Sequence, residues 1–253
     1  MNEHFIFNFN RVFYLAKRQI RLILPSLLLW MAGAAGIFTF ILLLQLIFDH
    51  HSIPQIEFLG MVMPTFFIGG YVFAATTFKE LQSTYRSYLL LMLPASRLEK
   101  LFVGWFISSL FYTLVSLLTM FVINLITLIM SNLLGNPIPL FNLFSKEMLL
   151  RLAIFLVTQP IFFLGAFYFR KGNFFKTILA LSLTMLGIMI YILIVMKLTF
   201  HHSYTVINLK FESEDMPDLY RVIIPTVSKI FFWYIMAPFF LIVSYFSLKE
   251  REA

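Results

Sequence analysis

The chain has 253 residues, of which 60% are hydrophobic and 12% are charged, with a mean hydropathy of +0.89. Soluble domains carry roughly 25% charged residues, so this composition excludes a soluble globular protein and indicates a chain that crosses a membrane several times. There is no cysteine, which excludes disulfides and thiolate metal sites. The net charge of +7 suggests basic residues on the cytoplasmic face of a membrane, and we expect no nucleic-acid partner.

Residues 1–21 combine apolar residues at helical spacing with basic residues between them. The apolar positions are Phe5, Phe9, Val12, Phe13, Ala16 and Ile20, and the basic positions are Arg11, Lys17, Arg18 and Arg21. This pattern predicts an amphipathic helix in the membrane interface, with its aromatic rings in lipid and its cations near anionic headgroups. The alternative is a solvated cytoplasmic tail.

Six apolar blocks follow, each close to the roughly 20 residues that cross a bilayer as a helix. They cover about 22–48, 58–78, 101–130, 148–169, 174–198 and 225–248, and residues 249–253 form a short tail. Backbone groups in lipid must find their hydrogen bonds internally, so we predict an all-α membrane fold with six transmembrane helices. Pro64, Pro160 and Pro238 lie inside these spans and should kink or locally open the helices.

Basic residues are distributed unevenly among the segments that connect these blocks. Most of the 19 lysines and arginines lie in the N-terminal segment, in residues 79–100, in the 170–176 turn and at the C-terminus. The acidic residues gather mainly in the other connections. By the positive-inside rule, both termini and residues 79–100 face the cytoplasm.

Two connections lie on the predicted outer side. Residues 131–147 contain Leu140, Phe141, Leu143 and Phe144, an apolar patch that we expect to rest on the membrane surface. In residues 199–224, apolar and polar residues alternate from Ile207 to Phe211, which predicts one short strand.

Two spans carry surfaces of small residues. The first span has Ala32, Gly33, Ala35 and Gly36, and the second has Gly69, Gly70, Ala74 and Ala75. Small side chains let helix backbones approach closely, so each surface is either a packing face within the subunit or an interface between subunits.

The sequence lacks the motifs of the common membrane-bound activities. It has no G-x-x-x-x-G-K-[ST] phosphate-binding loop, no H-E-x-x-H and no G-x-S-x-G. The polar residues within the spans, such as Gln45, Asn124, Thr127 and Gln159, are neutral, which disfavours a proton-coupled or sodium-coupled carrier. We therefore expect a chain that is not an enzyme and holds no cofactor of its own.

Two histidine pairs, His50–His51 and His201–His202, follow the first and fifth spans on the predicted outer side. Four imidazoles brought together could bind Zn²⁺ or Cu²⁺, which makes these residues weak candidates for a metal site. The simpler alternative is that they are polar residues at the ends of spans.

The longest charged break in the apolar sequence is Lys79–Lys100, KELQSTYRSYLLLMLPASRLEK. Its first half predicts a short amphipathic helix with Leu81, Tyr85, Tyr88, Leu89 and Met92 on one face. Pro94 should end that helix, because proline has no N–H to donate. Ser96 and Glu99 form an S-x-x-E capping box, which predicts that the third span starts immediately afterwards.

Residues 91–100, LMLPASRLEK, resemble the LPxSRxEK segment between the second and third spans of bacterial ABC-2 type transporter permeases. The resemblance covers about ten residues, and the plan of six spans with both termini inside is similar as well. It implies a multi-pass permease of the cytoplasmic (inner) membrane, an exporter that works as a homodimer or with a similar permease. ATP would bind to a separate ATP-binding-cassette ATPase subunit.

The resemblance also implies roles for particular residues. Residues 79–93 would form the coupling helix that contacts the ATPase, followed by a joint to the third span. The implied coupling residues are Lys79, Glu80, Arg86, Pro94, Ser96, Arg97, Glu99 and Lys100. Arg11, Lys17, Arg18 and Arg21 would lie on the helix that borders the ATPase. The alternative function is a non-transporting membrane scaffold or sensor accessory protein that binds a cytoplasmic partner through the same loop.

Overall fold

A computed structural model describes residues 8–48, 55–78, 95–133, 140–169, 172–199 and 224–252. All the regular structure in these residues is helical, which confirms the predicted all-α fold. The strand predicted between Ile207 and Phe211 lies outside the described residues.

Eight α-helices and two π-helical segments make up the described structure. The helices are α1 (Phe9–Phe48), α2 (Gln55–Thr76), α3 (Arg97–Phe106), α4 (Tyr112–Leu133), α5 (Lys146–Tyr168), α6 (Asn173–Thr199), α7 (Ile224–Ile230) and α8 (Met236–Glu252). The π segment Ile107–Phe111 joins α3 to α4, and Phe231–Ile235 joins α7 to α8. We call the α3–π–α4 rod the third span and the α7–π–α8 rod the sixth span.

Within the described ranges, six helices are long and apolar enough to cross a membrane, as the sequence predicts. Lipid offers no hydrogen bonds, so a π turn or a proline inside a span must be accommodated locally. Pro64 lies inside α2 and Pro160 inside α5. Pro238 lies in the first turn of α8, three residues after the π segment Phe231–Ile235.

The first helix differs from its predicted organisation. α1 is one helix of 40 residues with Pro25 inside it, and it continues without a break through residue 21. At 1.5 Å per residue, α1 is about 60 Å long, roughly twice the hydrocarbon thickness of a bilayer. It is therefore longer than one crossing of a bilayer requires.

α1 and the third span run parallel to each other. At one end, the Asn8 N–H bonds to the Glu99 carboxylate, residues that are 91 apart in sequence. Further along, the Thr119 hydroxyl contacts Met31 Sδ at 3.2 Å, a separation of 88 residues. The offset changes only from 91 to 88 residues between these two contacts, so the two helices run in the same direction.

α5 is the centre of the bundle, since it packs against α2, α6 and α8. Its contact with α2 and the third span depends on the glycines of α2. A Cβ at Gly70 would lie 2.3 Å from the Phe155 ring, and one at Gly69 would lie 2.8 Å from the Tyr112 hydroxyl. The small-residue surface of α2 is therefore a packing face within the subunit. The α1 surface differs, because nothing lies within 4 Å of a Cβ built on Gly33 or Gly36.

The sequence predicts that the whole apolar patch at residues 140–144 rests on the surface. In the structure, only part of it is exposed. Phe141 and Leu143 are buried, whereas Leu140 and Phe144 are exposed. The Phe141 ring stacks on Phe58 with centroids 4.2 Å apart. Its backbone is also tied to the third span, because Asn124 Nδ2 donates to the Phe141 carbonyl at 2.9 Å. Half of the patch is thus part of the core.

Candidate functional site

The end of the bundle that carries most of the basic residues is held together by polar contacts between helix ends. We call it the basic end and define it by the start of α1, the end of α2, the start of α3, the start of α6 and the end of α8. The first of its contacts is the capping box. Ser96 Oγ accepts the Glu99 N–H at 3.2 Å, and Glu99 Oε2 accepts the Ser96 N–H at 2.7 Å.

Ser96 has φ −67° and ψ 158°, the extended conformation of an N-cap residue. The predicted capping box is therefore confirmed, and α3 begins at Arg97, directly after its cap.

The Glu99 carboxylate caps a second helix as well. Its other oxygen, Oε1, accepts the N–H of Asn8 at 2.9 Å, and Asn8 immediately precedes α1. One buried carboxylate thus bonds to the N-cap N–H groups of two parallel helices. Each helix N-terminus carries a partial positive charge of roughly half a unit, which favours an anion at this point. The cation of Arg11 adds a further attraction to Glu99.

The end of α2 is fastened by side chains from two other helices. Gln19 Nε2 of α1 donates to the Thr77 carbonyl at 3.4 Å. Asn173 Nδ2, from the first residue of α6, donates to the Ala75 carbonyl at 3.4 Å and to the Ala166 carbonyl at 3.3 Å. The last carbonyls of a helix have no partner within it, so these amides satisfy groups that would otherwise lack one.

An apolar cluster lies beneath these polar contacts. It consists of Phe78, Leu101, Phe163, Phe167 and Leu248, all buried, and it brings α2, α3, α5 and α8 together. The approach of Phe78 to α3 requires Gly104, where an added Cβ would lie 2.3 Å from the Phe78 ring. Phe78 and Gly104, close in sequence to the two ends of the segment 79–94, therefore lie in a closely packed part of the bundle.

This arrangement ties together the two points of the bundle to which residues 79–94 connect. Residues 79–94 are joined at one end to α2 and at the other to α3. Both attachment points are linked to α1, through Gln19 and through Asn8.

The structure describes some of the predicted site residues and not others. Ser96 and Glu99 form the cap, Lys100 is buried beside them, and Arg97 is half-buried. Arg11, Lys17, Arg18 and Arg21 are exposed along the first turns of α1. Lys79, Glu80, Arg86 and Pro94 lie outside the described residues, as do His50, His51, His201 and His202. Among the residues described, no group of three or more potential metal ligands comes together.

Sequence reasoning missed the partners that fasten this end, namely Asn8, Gln19, Thr77 and Asn173. A local signal existed for two of them, because asparagine is favoured at helix N-termini and Asn8 and Asn173 each stand where a helix starts. Nothing in the sequence pointed to Gln19 or to the Thr77 carbonyl.

Comparison of the chain with protein family models, curated proteins and solved structures found no match.

Proposed function

We propose that this chain is the permease subunit of an ATP-binding-cassette exporter in the bacterial cytoplasmic membrane. A separate ATPase subunit binds ATP and drives it, and the permease acts as a homodimer or with a similar partner. The resemblance of residues 91–100 to ABC-2 permeases supports the proposal. Six helices able to span a membrane and the firmly attached ends of residues 79–94 are compatible with it.

The Glu99 carboxylate is the single observation that carries the proposed mechanism. Because it bonds to the caps of both α1 and α3, α1 and the third span are joined directly after the proposed coupling helix. ATP-driven closure of the ATPase would push on residues 79–93. The push would enter α2 through Phe78 and the third span through Ser96, and α1 would follow the third span.

Purification of the tagged chain from its native membrane tests the proposal. We expect an ATP-binding-cassette ATPase to copurify, and we expect its ATPase activity to rise when the complex is reconstituted in liposomes with transported cargo. Combined Arg86→Glu and Arg97→Glu substitutions should abolish the stimulation, because they reverse two charges at the proposed contact. The matched control is Lys146→Glu, an exposed charge reversal in the first turn of α5, which should leave stimulation intact.

Two results would decide against the proposal. If no ATPase copurifies and the Arg86 and Arg97 variants behave as the parent does, the chain is not such a permease. If a cytoplasmic partner binds through residues 79–100 but neither ATP hydrolysis nor transport responds, the chain is a scaffold or sensor accessory protein instead.

A further inference from the structure

The hydroxyl of Ser109 is an exception among the buried hydroxyls of the described chain. Each other buried serine or threonine donates to a carbonyl three or four residues earlier, as Thr113, Ser116 and Ser244 do. This is how hydroxyls are satisfied inside apolar helices. Ser109 is fully buried, yet its Oγ has no hydrogen-bond partner among the described residues.

The exception occurs in a π segment of the third span. Ser109 lies within Ile107–Phe111, where the helix turn is widened. The carbonyl four residues before it, that of Trp105, accepts the Ser108 hydroxyl instead, at 3.2 Å. In the described structure, the Ser109 hydroxyl donates to no carbonyl of its own helix.

A second unpartnered group reaches the same turn from α5. Gln159 is fully buried, and its Nε2 donates to Ser108 Oγ at 2.7 Å, while its Oε1 has no partner among the described residues. Turning the amide over would only exchange the unpartnered oxygen for an unpartnered N–H. The indole Nε1 of Trp105, one turn before Ser109, is likewise buried without a partner in the described structure. Gln159 and Ser109 thus offer an acceptor and a hydroxyl at the turn, and Trp105 offers an N–H donor two residues before it in the chain.

We propose that this turn is a binding site for one internal water molecule, held by Gln159 Oε1 and Ser109 Oγ, with the Trp105 N–H beside it. Water is the ligand whose chemistry matches, since it donates and accepts and buried waters usually make about three hydrogen bonds. The alternative, several unsatisfied polar groups inside an apolar bundle, is strongly unfavourable. The bound water would stabilise the π turn of the third span, whether or not the chain is a transporter.

The site is tested by whether Ser109→Ala lowers or raises the thermal unfolding midpoint. With water bound, Ser109→Ala leaves the water short of a partner, so the thermal unfolding midpoint of the purified chain should fall by about 2–4 °C. In a dry site the same substitution removes an unsatisfied hydroxyl, and the midpoint should rise. Ser116→Ala is the matched control, because that buried hydroxyl bonds only to its own helix, at the Tyr112 carbonyl. It should change the midpoint little.

A double-mutant cycle and a chemical probe complete the test. No direct hydrogen bond joins Ser109 to Gln159 in the described structure, so a bridging water predicts that the effects of Ser109→Ala and Gln159→Met are less than additive. X-ray radiolysis generates hydroxyl radicals from bound water, so Trp105 should be oxidised in the parent and several-fold less in the double variant. A raised or unchanged midpoint for Ser109→Ala, additive effects, or equal Trp105 oxidation in the parent and the double variant would each overturn the proposal.

Discussion

Replacing Glu99 with alanine removes the acceptor of two backbone hydrogen bonds at once, those from Asn8 and Ser96. A hydrogen bond to a charged group contributes about 1.5–3 kcal/mol, and water at the end of the bundle can replace part of what is lost. Taking the lower value for each bond, we expect Glu99→Ala to reduce the free energy of unfolding by about 3 kcal/mol. For a chain of this size, that is a fall of about 6–12 °C in the unfolding midpoint.

The assay is thermal unfolding in detergent, combined with hydrogen exchange of the Asn8 and Ser96 amides. Both amides should exchange faster in the variant, because both lose the same acceptor. Glu147→Ala is the matched control: Glu147 also lies in the first turn of a helix, but it is exposed. Equal midpoints for the two variants, or protection lost at only one of the two amides, would refute the assignment of Glu99 as a shared cap.

Three further predictions concern the packing of the bundle. Gly70→Ala should destabilise the chain by about 1–3 kcal/mol, since the new methyl group meets aromatic rings, whereas Gly33→Ala meets open space and should be neutral in the same unfolding assay. Phe141→Ala should cost about 3–5 kcal/mol and the exposed Phe144→Ala little, as measured by denaturant unfolding. Asn124→Leu should cost about 2–3 kcal/mol and speed hydrogen exchange at the Phe141 amide, because both backbone groups of Phe141 lose their partner.

The features predicted correctly are those determined by nearby residues. The capping box depends on Ser96 and Glu99, three residues apart, and its geometry follows from local backbone preferences. The spans follow from runs of apolar residues about as long as a bilayer is thick. Both kinds of signal are complete within one stretch of sequence.

The features that were missed depend on residues far apart in the chain. Glu99 bonds to Asn8, 91 residues away, and no pattern in either segment indicates the other. The glycine pairs of α1 and α2 look alike in sequence, yet Gly70 contacts Phe155 while Gly33 faces open space. Which surface packs inside is decided by the arrangement of the whole bundle. The insertion of Phe141 into the core similarly depends on Phe58 and Asn124, each supplied by a different helix.

The parallel pairing of α1 with the third span has a consequence for how the protein is made. α1 emerges from the ribosome first, but its partner residues follow 88–91 positions later, with α2 in between. At about 5–20 residues per second, α1 remains in the membrane for roughly 5–20 seconds before the helix that covers it arrives. During that time Leu27 and Leu42, which are buried in the finished bundle, face lipid or the insertion machinery. Truncating the chain before Ser96 should therefore leave α1 inserted but without its partner, as an early intermediate of biogenesis.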